Sequence, residues 1–464
     1  MRRLFIAMLA CICAMCAGCG DNSLMPTPNL YSRAKIDPFP DVPASLQNNH
    51  VQVLYLTDRV PEKKSKDNPG YGYRRSRSVA AGISDVEFGH NVSWKDLDAA
   101  SRTNKRRVSL PVHVVKTTEI VRFPATPRIL LELPPLQVKG ATTRERPGAA
   151  AMRAELDSAK AQAMDLLRTQ LAKTPDKEVY IFIHGYDNNF DDSVETIAQL
   201  WHFLGRRGVP VAYSWPAGRG GLLRGYTYDS ASSEFTVYHL KEMIRGIAAC
   251  PEVKKINIIA HSRGTGVVVT ALCELHLEIA GSGKLTRDVL KLGTVVLAAP
   301  DIDLDVLIQR AVTVRLGLVP EHTVVYVCAN DQALSISNWL FGGVTRLGAV
   351  RSNMFTKDDL ELLQDSKTVE MIDCRISNPG PFGHSYFHNN PAVSSDLVLL
   401  LRYHQFAGNN SNRPLRSNDG PFWIIDDSYP GSKIQVTDPV NLSRSAPAIL
   451  PGGKSEKLSW AQSR

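Results

Sequence analysis

The sequence predicts an α/β fold: a mostly parallel sheet with helices on both faces and extra strands on its N-terminal side. Two observations lead there. From about residue 149 to residue 403, short apolar runs of strand character alternate with longer segments of helical spacing. That alternation implies a parallel sheet covered on both faces. In addition, the apolar run 256–260 stops at His261-Ser262-Arg263-Gly264 and passes directly into an apolar stretch of helical character.

Taken in order, strand signals stand at 51–57 and 86–88, separated by a segment rich in Lys, Gly and Arg that reads as a loop. A third lies near 108–115, and these three form the early, mostly antiparallel strands. Met152, Leu156, Ala163, Leu166, Leu167 and Leu171 recur at near-helical spacing and predict an amphipathic helix over 149–171. Strand 178–183, helix 194–204, strand 209–215, helix 235–248 and strand 256–260 follow. Past the serine come a helix to about 279, strand 294–298, helix 304–310, strands 323–328 and 368–374, and a last helix over 393–403. Gly281-Ser282-Gly283-Lys284 does not complete a phosphate loop, because Leu285 follows the lysine; it reads as the turn that ends a helix.

Composition sets the class. The 464 residues allow one large or two ordinary domains, and 43% hydrophobic with 22% charged residues is ordinary for a globular protein with a sizeable core. The formal charge of +8 gathers in clusters such as 73–77 and 104–107. No nucleic-acid motif or interleaved aromatics accompany them, so they read as solvated loops, with an anionic membrane surface as the next reading. Nucleic acid is not an expected partner.

Arg2-Arg3 precede an apolar stretch over 4–17, too short for a comfortable membrane span but suited to a secretory signal. Cys16-Ala17-Gly18-Cys19 resembles the bacterial lipoprotein-processing box, although Cys16 stands where leucine is usual. The expected organisation is a signal peptide over 1–18 and a tether over 19–48 lipidated at Cys19. A catalytic domain over 49–407 follows, then a polar, loosely ordered tail over 408–464 in which 422–425 docks. This places the protein at the bacterial cell envelope, held to the membrane by its lipid. Beyond the leader, Cys250, Cys273, Cys328 and Cys374 are scattered without metal-binding spacing, so no metal or cofactor is expected, and Cys328 is read as a small buried hydrophobe.

The chemistry is concentrated in small-x-Ser-x-Gly, here Ala260-His261-Ser262-Arg263-Gly264. Such a turn lifts a serine hydroxyl above the sheet edge, and it needs small neighbours because strand and helix backbones nearly touch. Alone it is weak, since a serine capping a helix reads the same way. The strand ending in His184-Gly185-Tyr186 strengthens it, because a loop of this kind supplies one backbone N–H to an oxyanion. Tyr186 and Arg263 are the expected donors.

The chain resembles an α/β-hydrolase, and specifically a bacterial family of uncharacterised α/β-hydrolases often found as lipoproteins. The likeness covers about residues 50 to 407. It is carried by His184-Gly185-Tyr186-Asp187-Asn188-Asn189-Phe190, Tyr213-Ser214-Trp215-Pro216, 260–264, Ala299-Pro300-Asp301-Ile302-Asp303 and Asn330-Asp331-Gln332-Ala333-Leu334. It implies serine chemistry and leaves the substrate open.

In that fold the chain order is serine, acid, histidine, each after a strand. Ser262 is the expected nucleophile. Asp331, directly after strand 323–328, is the expected acid, with Asp301 and Asp303 as rivals that would otherwise cap the helix at 304. His384, in the loop after strand 368–374 and in a Gly-His-Ser-Tyr run like the family's, is the expected base, with His388 as its rival. The implied activity is carboxylesterase-like cleavage of a small ester or amide. The alternative is a catalytically inactive binding or scaffold protein on the same fold, to which Ala260 in place of the first glycine lends some footing.

Overall fold

A computed structural model describes residues 23–436 apart from 66–67, 108, 133–145, 332, 335–344, 352–353, 358–360, 362–367, 378–382, 409–411, 419–421, 433 and 435. The leader and Cys19 lie outside the described residues. The chain opens with β1 (His50–Ser65), β2 (Asn68–Phe88) and β3 (Val112–Arg122). Helix α1 (Ala149–Ala172) leads to β4 (Glu178–Ile183), α2 (Phe190–Phe203), β5 (Val209–Ser214) and α3 (Leu222–Ala248). Next come β6 (Lys255–His261), α4 (Gly264–Ala280), α5 (Thr286–Leu290), β7 (Leu292–Ala298) and α6 (Leu304–Leu307). Strands β8 (His322–Val327) and β9 (Val369–Arg375), helix α7 (Pro391–Leu401), and strands β10 (Arg416–Ser417) and β11 (Phe422–Asp426) complete it.

Among the described residues these strands form one eleven-stranded sheet in the order β10-β11-β9-β8-β7-β6-β4-β5-β1-β2-β3. Neighbours from β11 to β1 are parallel, while β10/β11, β1/β2 and β2/β3 are antiparallel. The predicted fold class is therefore the observed one. Strands β5 and β7 are buried at every residue, as continuous Val/Ile/Leu-rich runs must be when both sheet faces are covered. One apolar cluster packs α2 and α7 on the first face, and a second packs α1, α3 and α4 on the other. From β4 the chain runs to β5 on one side and to β6 on the other, so strand order reverses at β4. A crevice at the carboxyl ends of such strands is where ligands bind in open α/β sheets.

Several elements differ from expectation. The segment read as a loop between 58 and 85 is mostly strand: β1 and β2 pair from His50↔Glu87 to Ser65↔Asn68, with register shifts at 57–61 and 63–65. Helix α3 begins at Leu222, so little chain is left for a loop after Trp215. Helix α7 ends at Leu401, and His404 sits beyond it with φ 50°. The stretch expected as a tether is packed from Leu24 onward. Leu24, Met25, Leu30 and Tyr31 are buried, and the Tyr31 hydroxyl donates to the Phe203 carbonyl at 2.6 Å.

Nor does the described part of the tail behave as loose chain. β11 extends the sheet beside β9, and Arg413 is fully buried between Asp396 on α7 and Glu370 on β9. Its Nε and Nη2 donate to the two Asp396 oxygens at 2.7 and 2.6 Å, and Tyr326 and Tyr429 donate to the same carboxylate at 2.6 Å each. In sequence 408–420 is mostly polar, and the partners that bury Arg413 are distant in the chain. All four cysteines beyond the leader are buried free thiols. No helix among the described residues is long and apolar enough to cross a membrane.

Candidate active site

β4 and β6 are neighbours in register Ile183↔Ala260, so the loops that leave their carboxyl ends meet. Ser262 stands at the start of the β6–α4 turn with φ 52°, a left-handed conformation that costs a non-glycine residue on the order of 1–3 kcal/mol. Four hydrogen bonds hold it there. Its N–H donates to Ala298 O at 3.0 Å, and its carbonyl accepts from Thr265 N (3.1 Å), Thr265 Oγ1 (2.6 Å) and Asp301 N (3.2 Å).

The small neighbours have physical reasons. A Cβ on Gly264 would lie 2.4 Å from the His184 carbonyl oxygen and 2.6 Å from that of Ile183, both backbone atoms that cannot swing away. One on Gly185 would meet Ser262 Cβ at 2.7 Å. Ala260, where glycine is usual, fits fully buried in the core.

His384 Nδ1–H donates to Asp331 Oδ2 at 2.7 Å, and Asp331 Oδ1 accepts from Leu334 N at 3.0 Å. Asp331 is buried, and the His384 side chain is 17% exposed. Burial works against a charged His384, but the Asp331 charge and hydrogen bond, with Asp301 adding to them, outweigh it and raise its pKa. With Nδ1 committed, Nε2 is left to accept a proton. The His261 ring, immediately before Ser262, bridges the two loops: its Nε2–H donates to the His384 carbonyl at 3.1 Å, and the ring centroids lie 4.8 Å apart. Burial first, then the neighbouring histidines, hold His261 neutral. Among the described residues the Ser262 hydroxyl forms no hydrogen bond.

The rival residues take other posts. Asp303 caps α6, accepting from Asp305 N at 2.9 Å and Val306 N at 3.2 Å. Asp301 accepts from the Tyr226 hydroxyl at 3.1 Å and faces Arg346 at 3.4 Å. His388 is half-buried, its buried Nδ1 has no hydrogen-bond partner among the described residues, and desolvation depresses its pKa to about 4. Of the two expected oxyanion donors, the Arg263 N–H opens α4 and donates to no described residue. Tyr186 follows β4 beside Gly185, whose own N–H is taken by Asn188 Oδ1 at 3.1 Å.

Two residues shape this loop that the sequence did not single out. Arg59, fully buried past the apolar half of β1, donates to Ala217 O (2.7 Å), Asn188 O (2.8 Å), Gly72 O (3.2 Å) and Ser214 Oγ (2.9 Å). It also touches His184 Nε2 at 3.2 Å, and burial followed by this cation lowers the His184 pKa to about 3. Asp229 accepts from Asp187 N at 3.0 Å and Gly218 N at 3.3 Å, and burial lifts its pKa to about 6. The only signal for Arg59 is a charged residue directly after an apolar strand, a pattern that ordinarily marks a strand end. For Asp229 there is none.

Comparison with known proteins adds a family. The family described as "Alpha/beta hydrolase of unknown function (DUF900)" matches residues 159–402, just over half of the chain. No curated protein matches. Among solved structures, a protein of Lactobacillus plantarum WCFS1 described as a cell surface hydrolase is similar at 13% identity and TM-score 0.30, over 49% of this chain and 90% of that one. Pyrococcus furiosus esterase Pf2001 is similar at 14% identity and TM-score 0.24, over 46% and 75%. A thermostable esterase of Pseudomonas putida ECU1011 is similar at 11% identity and TM-score 0.20, over 48% and 61%. On the extent of the family match, this chain belongs to the α/β-hydrolase family of unknown function.

Proposed function

We propose that this α/β-hydrolase is a serine esterase-type enzyme that cleaves a small ester or amide through Ser262, His384 and Asp331. The observation that carries the reading is the 2.7 Å hydrogen bond from His384 Nδ1–H to the buried Asp331 carboxylate, on the loop that His261 ties to the strained Ser262 turn. A serine hydroxyl needs a base to take its proton, and an imidazole needs a carboxylate to fix its tautomer. Ser262 Oγ attacks the carbonyl carbon while its proton passes to His384 Nε2. The N–H groups of Tyr186 and Arg263 hold the oxyanion, a stabilisation worth about 10²–10³ in turnover per donor in such sites. The tetrahedral adduct then expels the alcohol or amine, which leaves with the proton from His384. Water, deprotonated by the same imidazole, releases the acid and restores the serine.

The unpaired Ser262 hydroxyl favours a second reading, a binding protein on a retired hydrolase fold; catalytic hydrogen bonds, however, often close only when substrate arrives. A fluorophosphonate probe and a chromogenic short-chain ester decide between them. The wild-type chain is expected to be labelled and to turn over the ester, and Ser262→Ala to do neither. Labelling that survives Ser262→Ala refutes the assignment of the nucleophile, and a wild type inert to both reagents supports the binding protein.

The same reading places the protein at the bacterial cell envelope through a lipid on Cys19. Metabolic labelling with an alkynyl fatty acid is expected to mark the wild type and to leave Cys19→Ser unmarked. Equal labelling of both excludes that anchor.

A further inference from the structure

A cavity lies away from the Ser262 site, between α1, α3 and the β1–β2–β5 part of the sheet, with a volume of about 400 Å³. None of its lining residues belongs to the catalytic constellation. Close-packed interiors hold few voids larger than a water molecule, whereas small-molecule sites run to about 300–1,000 Å³ with apolar walls and a few convergent polar groups. Leu54, Leu156, Met164, Leu167, Met243 and Ile247 contribute to such walls here.

The polar groups are few and specific. Arg128 is 9% exposed, lines the cavity, and has a buried Nε–H without a hydrogen-bond partner among the described residues. Its Nη1 reaches only as far as the Tyr238 hydroxyl at 3.4 Å and Glu242 at 3.6 Å. A buried donor left unpaired is costly, and most so on a cation. Close by in the wall, Thr126 Oγ1 lies 2.8 Å from His239 Nε2, and His239 Nδ1–H donates to the fully buried Asp58 at 2.8 Å. Around the lining, Arg128, exposed Lys160 and Arg245 oppose the single carboxylate Glu242, which Arg245 already pairs at 2.7 Å. The balance favours an anion at the polar end of an otherwise apolar space.

We infer that this cavity binds an aliphatic carboxylic acid of fatty-acid type. The hydrocarbon chain lies among the leucines and methionines, and the carboxylate pairs with the Arg128 guanidinium, with Lys160 beside it. An ionised acceptor supplies a charge-assisted bond closer than the 3.6 Å contact with Glu242. The inference does not rest on hydrolysis at Ser262.

Isothermal titration of the full chain with decanoate and with decan-1-ol tests it. Decanoate is expected to bind once per chain and at least about tenfold more tightly than the alcohol, the scale of one charge-assisted hydrogen bond. Arg128→Met is expected to erase that preference while the alcohol binds as before. Ala163→Trp fills the cavity from α1 and is expected to abolish both, with circular dichroism verifying the fold. Ser262→Ala is expected to bind decanoate unchanged. Absence of decanoate binding, or binding with equal affinity in wild type and Arg128→Met, overturns the inference. If Ala163→Trp does not fold, the contrast between acid and alcohol in wild type and Arg128→Met still decides it.

Discussion

His384 is the residue on which pH control of the proposed reaction rests. It must be neutral to take the serine proton, and its pKa is raised above the usual 6.5 by Asp331 despite burial. kcat/KM is therefore expected to rise with pH through a midpoint above 6.5, measured as the acid limb of an ester-hydrolysis profile. Removing the carboxylate charge with Asp331→Asn should shift that midpoint downward and reduce kcat by about 10³–10⁴-fold, since the tautomer is lost as well. An acid limb that stays in place in Asp331→Asn would mean that another group controls it. At this scale the candidate site was legible in part. Ser262, Asp331 and His384 each sit in a short run whose residue types announce a turn after a strand. What stayed hidden is held by contacts between distant segments, as with Arg59, three of whose acceptors are backbone carbonyls and therefore leave no trace in residue identity.

At the scale of elements, the parallel strands and their helices were readable because burial on both faces forces continuous apolar runs. Of the β1–β2 hairpin only 51–57 and 86–88 were, because the rest carries Lys, Arg, Gly and Ser over much of its length and its pairing is set by register with a partner strand. At the C-terminus only the docking of 422–425 was readable, for a related reason. The strands there are short, and their anchor is a buried ion cluster. That cluster makes a direct prediction. Arg413→Ala leaves Asp396 and Glu370 buried without their cation and should cost about 3–5 kcal/mol, read as a lower urea midpoint. A change below about 1 kcal/mol would mean that water reaches those carboxylates and that the segment is not packed as described.

For the whole molecule, several buried or half-buried histidines share a direction. Burial, with Arg59, lowers His184 to about 3, burial lowers His388 to about 4, and burial depresses His202 and His261 well below 6.5. Each is neutral in the folded chain but takes a proton on unfolding once the pH drops below about 6.5. Stability is therefore full above that value and declines on acidification, by about 1.4 kcal/mol per pH unit for each histidine in the window between its folded and unfolded pKa. His384 works in the opposite sense, since its raised pKa contributes stability below 6.5 that is lost as pH rises through it. With the depressed histidines in the majority, the urea midpoint should fall between pH 7 and pH 5. A midpoint that does not move would show that these imidazoles are protonated in the native state.

The family match stops at 402, short of Arg413 and of the strand that lies against β9. A recombinant protein trimmed to the matched segment would keep all three residues of the proposed triad while stripping the guanidinium from two interior carboxylates and uncovering both sheet edges, β9 by loss of β11 and β5 by loss of β1–β3. Such a product should collect in inclusion bodies, and loss of activity on trimming would say nothing about the chemistry of the serine.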